Sequence, residues 1–292
     1  MTSINMNNYL YNKDIFNTID TNNVLNLSDD DIKNMTCFET VNIISVIFIT
    51  NNKYSKGLKY LELCITNNNK NAEYNLGQYY LSIEKDINSA ISCFENVKDV
   101  IINANYKLGI IYKKLKQYNL AIECFMLLSD NSNAEYELGH CYMWLSDESK
   151  ALEYFKLAAD KNNINAAFML GNQYSRNKDY TNAIKYYELA VKGNHINAMY
   201  KLGDLYCNII YEDDEHLTLD EDYLTLGENY FIMACNKKHI GSLIEMGTRY
   251  LEDSGETHKG LYYLTMAYAL TNNNNLKQKI NNAIEFWEYG TV

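Results

Sequence analysis

The sequence contains no proline, and its only arginines are Arg176 and Arg249 among 292 residues. Without proline nothing imposes a fixed kink, which suits helices joined by tight turns. The formal charge of -11 provides no basic field to displace counterions from phosphate, so nucleic acid is excluded as the main partner. Seven cysteines (37, 64, 93, 124, 141, 207 and 235) are scattered without a Cys-x-x-Cys pair, unlike a secreted disulfide framework. The longest apolar run, Ile43 to Ile49, is too short to span a bilayer, and the opening MTSINMNNYL is too polar for a signal peptide. These absences predict a soluble cytoplasmic protein with reduced thiols and no membrane partner.

The patterns that carry chemistry are missing too. The five histidines (140, 195, 216, 239, 258) form no His-x-x-x-His pair. His140 and Cys141 are neighbours, which on a helix point about 100° apart and do not converge on one ion. No Gly-x-Gly-x-x-Gly, phosphate loop or Gly-x-Ser-x-Gly occurs. The acidic stretch from Tyr211 to Asp222 lacks the alternating ligands and central glycine of a calcium loop and reads as a solvated charge run. The sequence therefore predicts no enzyme, no metal and no cofactor. Without a secretion signal, the sequons at Asn26 and Asn34 are discounted.

What the chain does contain is a repeated phrase, Asn-Ala-x-aromatic-x-Leu-Gly with a tyrosine three residues after the glycine. It reads NAEYNLGQYY at 71–80, NANYKLGIIY at 103–112, NAEYELGHCY at 133–142, NAAFMLGNQY at 165–174 and NAMYKLGDLY at 197–206. A divergent copy, GSLIEMGTRY, stands at 241–250. The marker glycines Gly77, Gly109, Gly139, Gly171, Gly203 and Gly247 recur mostly at 30- to 32-residue spacing, the last delayed by the acidic stretch. Units this short bury their apolar faces only by stacking.

One unit, 165–194, resolves into two helices. Asn165 is placed to cap the first, in which Ala166, Leu170 and Tyr174 share a face. Asp179 should cap the second, whose buried stripe is Ala183, Tyr187 and Ala190, and Gly193 should supply a left-handed stop. The stripe recurs as Ala90-Phe94-Val97, Ala121-Phe125-Leu128 and Ala151-Phe155-Ala158, with Asp86 and Asp147 as further caps. Its small residues allow close approach, and the aromatic is expected to fill the space between neighbouring units.

These motifs resemble tetratricopeptide repeats and the related Sel-1-like repeats over roughly residues 54–270. The offsets from Gly171 to Tyr174, Ala183, Tyr187 and Ala190 look like the tetratricopeptide signature. The junction KGNHINAMYKLG at 192–203 looks more like the Sel-1-like phrase. The resemblance implies an all-α, right-handed superhelical solenoid of about seven helix-hairpin repeats. Its expected organisation is an N-terminal arm and short helix at 1–36, a solenoid at 37–273 with an acidic insert near 209–222, and a capping helix at 274–292. Residues 1–20 read as a loose arm, Ser28 as a helix start, and Ile280, Ala283, Ile284 and Trp287 as the inward face of the cap.

The resemblance further implies a non-enzymatic scaffold or adaptor whose first helices line a concave groove for a partner's peptide or helix. The candidate groove residues are Lys113, Lys114, His140, Trp144, Asn172 and Arg176. Trp and Arg are the residue types most enriched at binding hot spots, and with the lysines they make a basic, aromatic spot suited to an acidic or aromatic segment. The alternative is that Trp144 packs under its turn and Arg176 is merely solvated. A carboxylate clamp is not expected, because aromatics (Tyr74, Tyr106, Tyr136, Phe168, Tyr200) hold its second position. Other readings are a structural role through stacked end repeats and a quality-control or ubiquitin-ligase adaptor. Oligomeric state and partner identity stay open.

Overall fold

The computed structural model of the chain describes Tyr9 and residues 19–209, 221–252 and 255–289. Among these residues all regular structure is helical. The chain divides into two compact units, Met1–Ala151 and Leu152–Val292. The first contains α1 (Thr21–Val24), α2 (Asp29–Lys33), α3 (Phe38–Thr50), α4 (Tyr54–Thr66), α5 (Lys70–Tyr79), α6 (Ile87–Glu95), α7 (Ile102–Lys114), α8 (Tyr118–Met126) and α9 (Ser132–Trp144). The boundary falls inside α10 (Glu148–Asp160). The second unit continues with α11 (Ile164–Arg176), α12 (Tyr180–Lys192), α13 (Ile196–Asp204), α14 (Glu221–Asn236), α15 (Ile240–Glu252), α16 (Thr257–Leu270) and α17 (Asn274–Tyr289). Neighbouring helices pack as hairpins, α3/α4, α5/α6 and α7/α8 in the first unit and α11/α12, α13/α14 and α15/α16 in the second. The turn between α9 and α10 has the same left-handed residue, Ser146, as the loops of these hairpins.

One turn geometry serves both the hairpin loops and the junctions between hairpins. Asn52, Lys116, Ser146 and Lys178 follow first helices, and Asn68, Asn162, Asn194 and Lys238 follow second helices, all with φ between 59° and 62°. The next N–H then reaches back five residues, as from Gln117 to the Tyr112 carbonyl at 2.9 Å and from His195 to Ala190 at 3.0 Å. This is the left-handed helix stop that glycine usually provides. Gly193 does not provide it: its φ is -84°, and Asn194 is the left-handed residue. Gly193 is needed instead for close approach, since a Cβ there would sit 2.4 Å from Ile164 Cδ1.

The caps shift similarly. Asn163, not Asn165, caps α11 by accepting the Ala166 N–H at 3.0 Å, because Ile164 and Asn165 already belong to the first turn. Asn69 and Asn131 cap α5 and α9 in the same way. The second-helix caps are where the sequence puts them. Asp86 and Asp179 cap α6 and α12, and Asp147 accepts the Lys150 N–H at 3.2 Å. Gly77 stands 13 residues before Ala90, whereas Gly109 stands 12 before Ala121. The extra residue is absorbed by a π-helical turn at Tyr80–Glu84. A second such turn, Leu205–Ile209, ends the first helix of the α13/α14 hairpin.

The core of the central hairpins is an aromatic ring laid on a marker glycine. A Cβ on Gly109 would fall 2.6 Å from Phe125, one on Gly171 2.4 Å from Tyr187, and one on Gly203 2.7 Å from Phe231. The ring therefore fills space inside its own hairpin rather than between units. The first-helix aromatics pack on the same rings, with centroid distances of 5.2 Å for Tyr74–Phe94, 5.7 Å for Tyr106–Phe125, 6.0 Å for Phe168–Tyr187 and 5.7 Å for Tyr200–Phe231. The motif tyrosines Tyr174, Tyr206 and Tyr250 stack nearly parallel on Tyr186, Tyr230 and Tyr263 of their partner helices.

Both ends are covered. Helix α3 is buried continuously from Val41 to Ile49, which a helix exposed along one side could not be. Tyr9, Val24 and Ile32 belong to its core cluster. Lys53 and Lys56 fasten this N-terminal cover by donating to the Leu25 and Leu27 carbonyls at 2.9 and 2.6 Å. The Lys59 ammonium and the Tyr60 hydroxyl bind Asp29, holding its carboxyl down at about 2. Ser28 opens α2 with a reciprocal capping box to Asp31. Of the expected loose arm, only Tyr9, Ile19 and Asp20 lie within the described residues, and most of the acidic insert, 210–220, lies outside them. At the C-terminal end Ile280 is buried and Ala283 and Ile284 pack beside it. Trp287 does not turn inward: it is 37% exposed and meets Phe286 edge to face, because the inward stripe has already ended at Ile284.

Gly109→Ala should destabilise the chain by about 1–3 kcal/mol, since the new methyl must displace a buried ring. Gly193→Ala should cost less, because the half-exposed Ile164 can swing away. Thermal or urea unfolding of the two variants checks the order.

Candidate functional site

The six candidate residues fall in both units. Lys113, Lys114, His140 and Trp144 belong to the first unit, Asn172 and Arg176 to the second. In the first unit, α7 and α9 bring their residues around the marker glycines together. Lys113, in the last turn of α7, forms an ion pair with Glu137 of α9, both being largely buried. His140 lies one turn beyond Glu137, edge-on to Tyr136 at 4.6 Å. Burial pushes the His140 imidazole below its ordinary value; Glu137 opposes that shift and Lys113 adds to it. Lys114 is exposed. Trp144 is not tucked under its turn. It is 67% exposed and stacks flat on Tyr118 of α8, with centroids 6.0 Å apart and planes 2° apart.

In the second unit Asn172 has a structural task, its side-chain oxygen accepting the Tyr187 hydroxyl at 2.8 Å. Arg176 is exposed at the last residue of α11. Glu137 and Tyr118 were missed from sequence. Glu137 had a signal, standing two residues before its marker glycine as a carboxylate where Lys107 and Lys201 are cations. Tyr118 is 26 residues from Trp144 and opens a second helix, so nothing local linked the pair.

Among the described residues no group of three His, Cys, Asp or Glu side chains could hold a metal ion. Burial pushes the Cys64 and Cys235 thiols up to about 12, and Cys93, Cys124, Cys141 and Cys207 up to about 11. They pack as neutral thiols, poor nucleophiles. No helix among the described residues is long and apolar enough to cross a membrane.

Two histidines have a role the sequence did not disclose. His195 Nδ1 accepts the Ala198 N–H at 3.2 Å, capping α13, and His239 Nδ1 accepts the Ser242 N–H at 3.1 Å at the start of α15. His195 stacks on Phe168 at 4.3 Å and His239 lies beside Tyr200 at 5.0 Å. Both cap only with an unprotonated Nδ1, and burial lowers both pKa values from the ordinary 6.5. A lowered folded pKa means the unfolded chain takes up protons first as pH falls. The stability is thus complete above about pH 6.5 and declines as pH drops toward the folded values. The melting temperature should be lower at about pH 5.5 than at about pH 7.5. His195→Asn with His239→Asn, which install the cap used by α5, α9 and α11, should shrink that difference. His140, shifted the same way, should keep its share.

Tetratricopeptide repeat models match residues 102–130 and 164–192, which are α7/α8 and α11/α12. Sel1 repeat models match 70–96, 132–163 and 196–210, so the two types alternate along the chain. No curated protein matches the sequence. Among solved structures, c5321, a protective antigen of uropathogenic Escherichia coli with an SLR fold, is 16% identical with a TM-score of 0.62, covering 85% of this chain. The chain spans only 57% of that protein's length. A Sel1 repeat protein from Oxalobacter formigenes is 17% identical over 84% of this chain and 98% of its own, with a TM-score of 0.54. Pseudomonas aeruginosa pilF is 14% identical over 70% of this chain and 90% of its own, with a TM-score of 0.52. These likenesses concern the fold. The chain is a helical-repeat protein in which Sel1 and tetratricopeptide repeats follow one another.

Proposed function

We propose that the protein is a non-enzymatic scaffold whose first helices receive a peptide or helix of a partner protein. Repeat proteins of this kind generally mediate protein–protein contacts. The observation that supports the reading is the strip on α7 and α9, where Lys113, Glu137 and His140 gather polar groups at half-buried positions on the first helices, next to the exposed Lys114 and Trp144. Preorganised polar groups beside an exposed tryptophan are the makings of a recognition surface. Lys113, Lys114, His140 and Trp144 would act in the first unit, and Asn172 and Arg176 in the second. Asn172 would act mainly by holding its hairpin, given its bond to Tyr187.

Assembly through stacked end repeats fits less well. The outer side of α17 carries the polar pairs Gln278–Asn282 and Asn281–Glu285, its exposed apolar surface among the described residues is confined to Phe286 and Trp287 in the last turns, and α3 is already covered. Solenoid ends that stack onward would instead expose a broad apolar face.

A photo-crosslinking residue at Ile110, next to a marker glycine, should capture a discrete protein in the native cell. The same residue at Glu123, on the exposed side of α8, should not. Crosslinks at Ile110 only to copies of this chain, or equally from both positions, would contradict the reading.

A further inference from the structure

The hairpin turns at the ends of α7 and α9 carry the most exposed part of that surface, Lys114 and Trp144, beyond the Lys113–Glu137–His140 strip. Trp144 ends α9 and Tyr118 begins α8, so their stack lies at the turn edge of the first unit. Tyr118 covers one face of the indole, and with 67% of the residue exposed the other face is open to solvent. Leu115 and Leu145, the residues that close α7 and α9, are each 43% exposed. The contact with Tyr118 restrains the indole, so a ligand that stacks on it meets less ordering cost than on a free side chain.

Charge names the ligand. From Val100 to Ile122 the chain has four lysines (107, 113, 114, 116) and no carboxylate, although the whole carries -11. Glu137 engages Lys113, while Lys114 and Lys116 are exposed, Lys116 standing two residues before Tyr118. Asp147, the carboxylate of the adjoining turn, is occupied in capping α10 through Ser149 and Lys150. The α7 side of the edge thus joins exposed lysines to an aromatic platform, with Glu148 the exposed carboxylate on the α10 side.

We propose that this turn edge binds an acidic peptide segment of another protein, whose aromatic side chain stacks on the open face of Trp144 while its carboxylates meet Lys114 and Lys116. The proposal rests on the reading of the chain as a protein-binding scaffold. A polynucleotide also offers planes and negative charge, but the net charge of -11 opposes a polyanion far more than a short segment.

The test uses the full chain and a synthetic peptide of about a dozen alternating Glu and Phe residues, with binding read by anisotropy. Parallel arms use versions with Glu→Gln or Phe→Ala, a peptide of this chain's own residues 211–222, and a single-stranded oligonucleotide. The Glu/Phe peptide should bind, more weakly as salt rises, and both altered versions should lose affinity. Lys114→Glu with Lys116→Glu should weaken binding about tenfold or more, as should Trp144→Ala. These side chains are exposed, so circular dichroism should show the variants still folded. Absence of binding, or equal binding by the variants, would overturn the proposal. Tighter binding of the oligonucleotide would overturn it in favour of nucleic acid, and tighter binding of 211–222 in favour of a second copy of this chain. Capture at Ile110 that persists through any of these failures would leave the first-helix reading standing.

Discussion

Everything in this fold depends on a ring lying against a glycine. In the hairpins marked by Gly77, Gly109, Gly171 and Gly203 the second helix presents an aromatic, and at Gly247 it presents Leu264, where the first helix has no Cβ; in α3/α4 the roles reverse, Gly57 of the second helix meeting Ile49 of the first. The contact brings the two backbones closer than any side chain on the glycine would allow, and burying a ring contributes on the order of 2 kcal/mol or more. The alanines on the stripe are required for the same reason, and the first-helix aromatics then close over the ring from the other side. Such a unit is complete in two helices but exposes an apolar flank, which explains both the repetition and the covered ends.

That economy determines where recognition surfaces can lie. Glycine, ring and alanine take the facing sides of the helices, and the left-handed stops take the turns. Free to vary are the residues just after the marker glycine, on which Gln78, Ile110, His140, Asn172, Asp204 and Thr248 stand, and the residues that flank the turns. The first set has partly been spent on structure. Gln78 is buried against Tyr74, and Asn172 is tied to Tyr187. The turn flanks of α7 and α9 keep Lys114, Lys116 and Trp144 in solvent.

Much of this was legible in the sequence. The marker glycines and the stripes Ala90-Phe94-Val97 and Ala183-Tyr187-Ala190 are periodic, and all those stripe residues are buried. What eluded it depended on offsets of one or two residues or on partners far apart in the chain. Asn163 and Asn165 are equally good caps by type, and only the junction geometry selects Asn163. Gly193 looked like a stop because glycine favours that role, while the stop is Asn194 and the glycine serves Ile164. Helical periodicity carried Trp287 inward past the point where the core ends. Of the site, Trp144 and the lysines stood out by residue type. The Tyr118 stack and the Glu137 ion pair needed coordinates, since both join separate helices.

The most direct test of the ring-on-glycine account is a double-mutant cycle at Gly203 and Phe231, measured by urea unfolding. If the ring forbids the methyl, Gly203→Ala should be destabilising in the wild type and nearly neutral beside Phe231→Ala, with a coupling of about 1–2 kcal/mol. Additive effects of the two changes would show that the glycine is not there for the ring, and the account would be wrong at its centre.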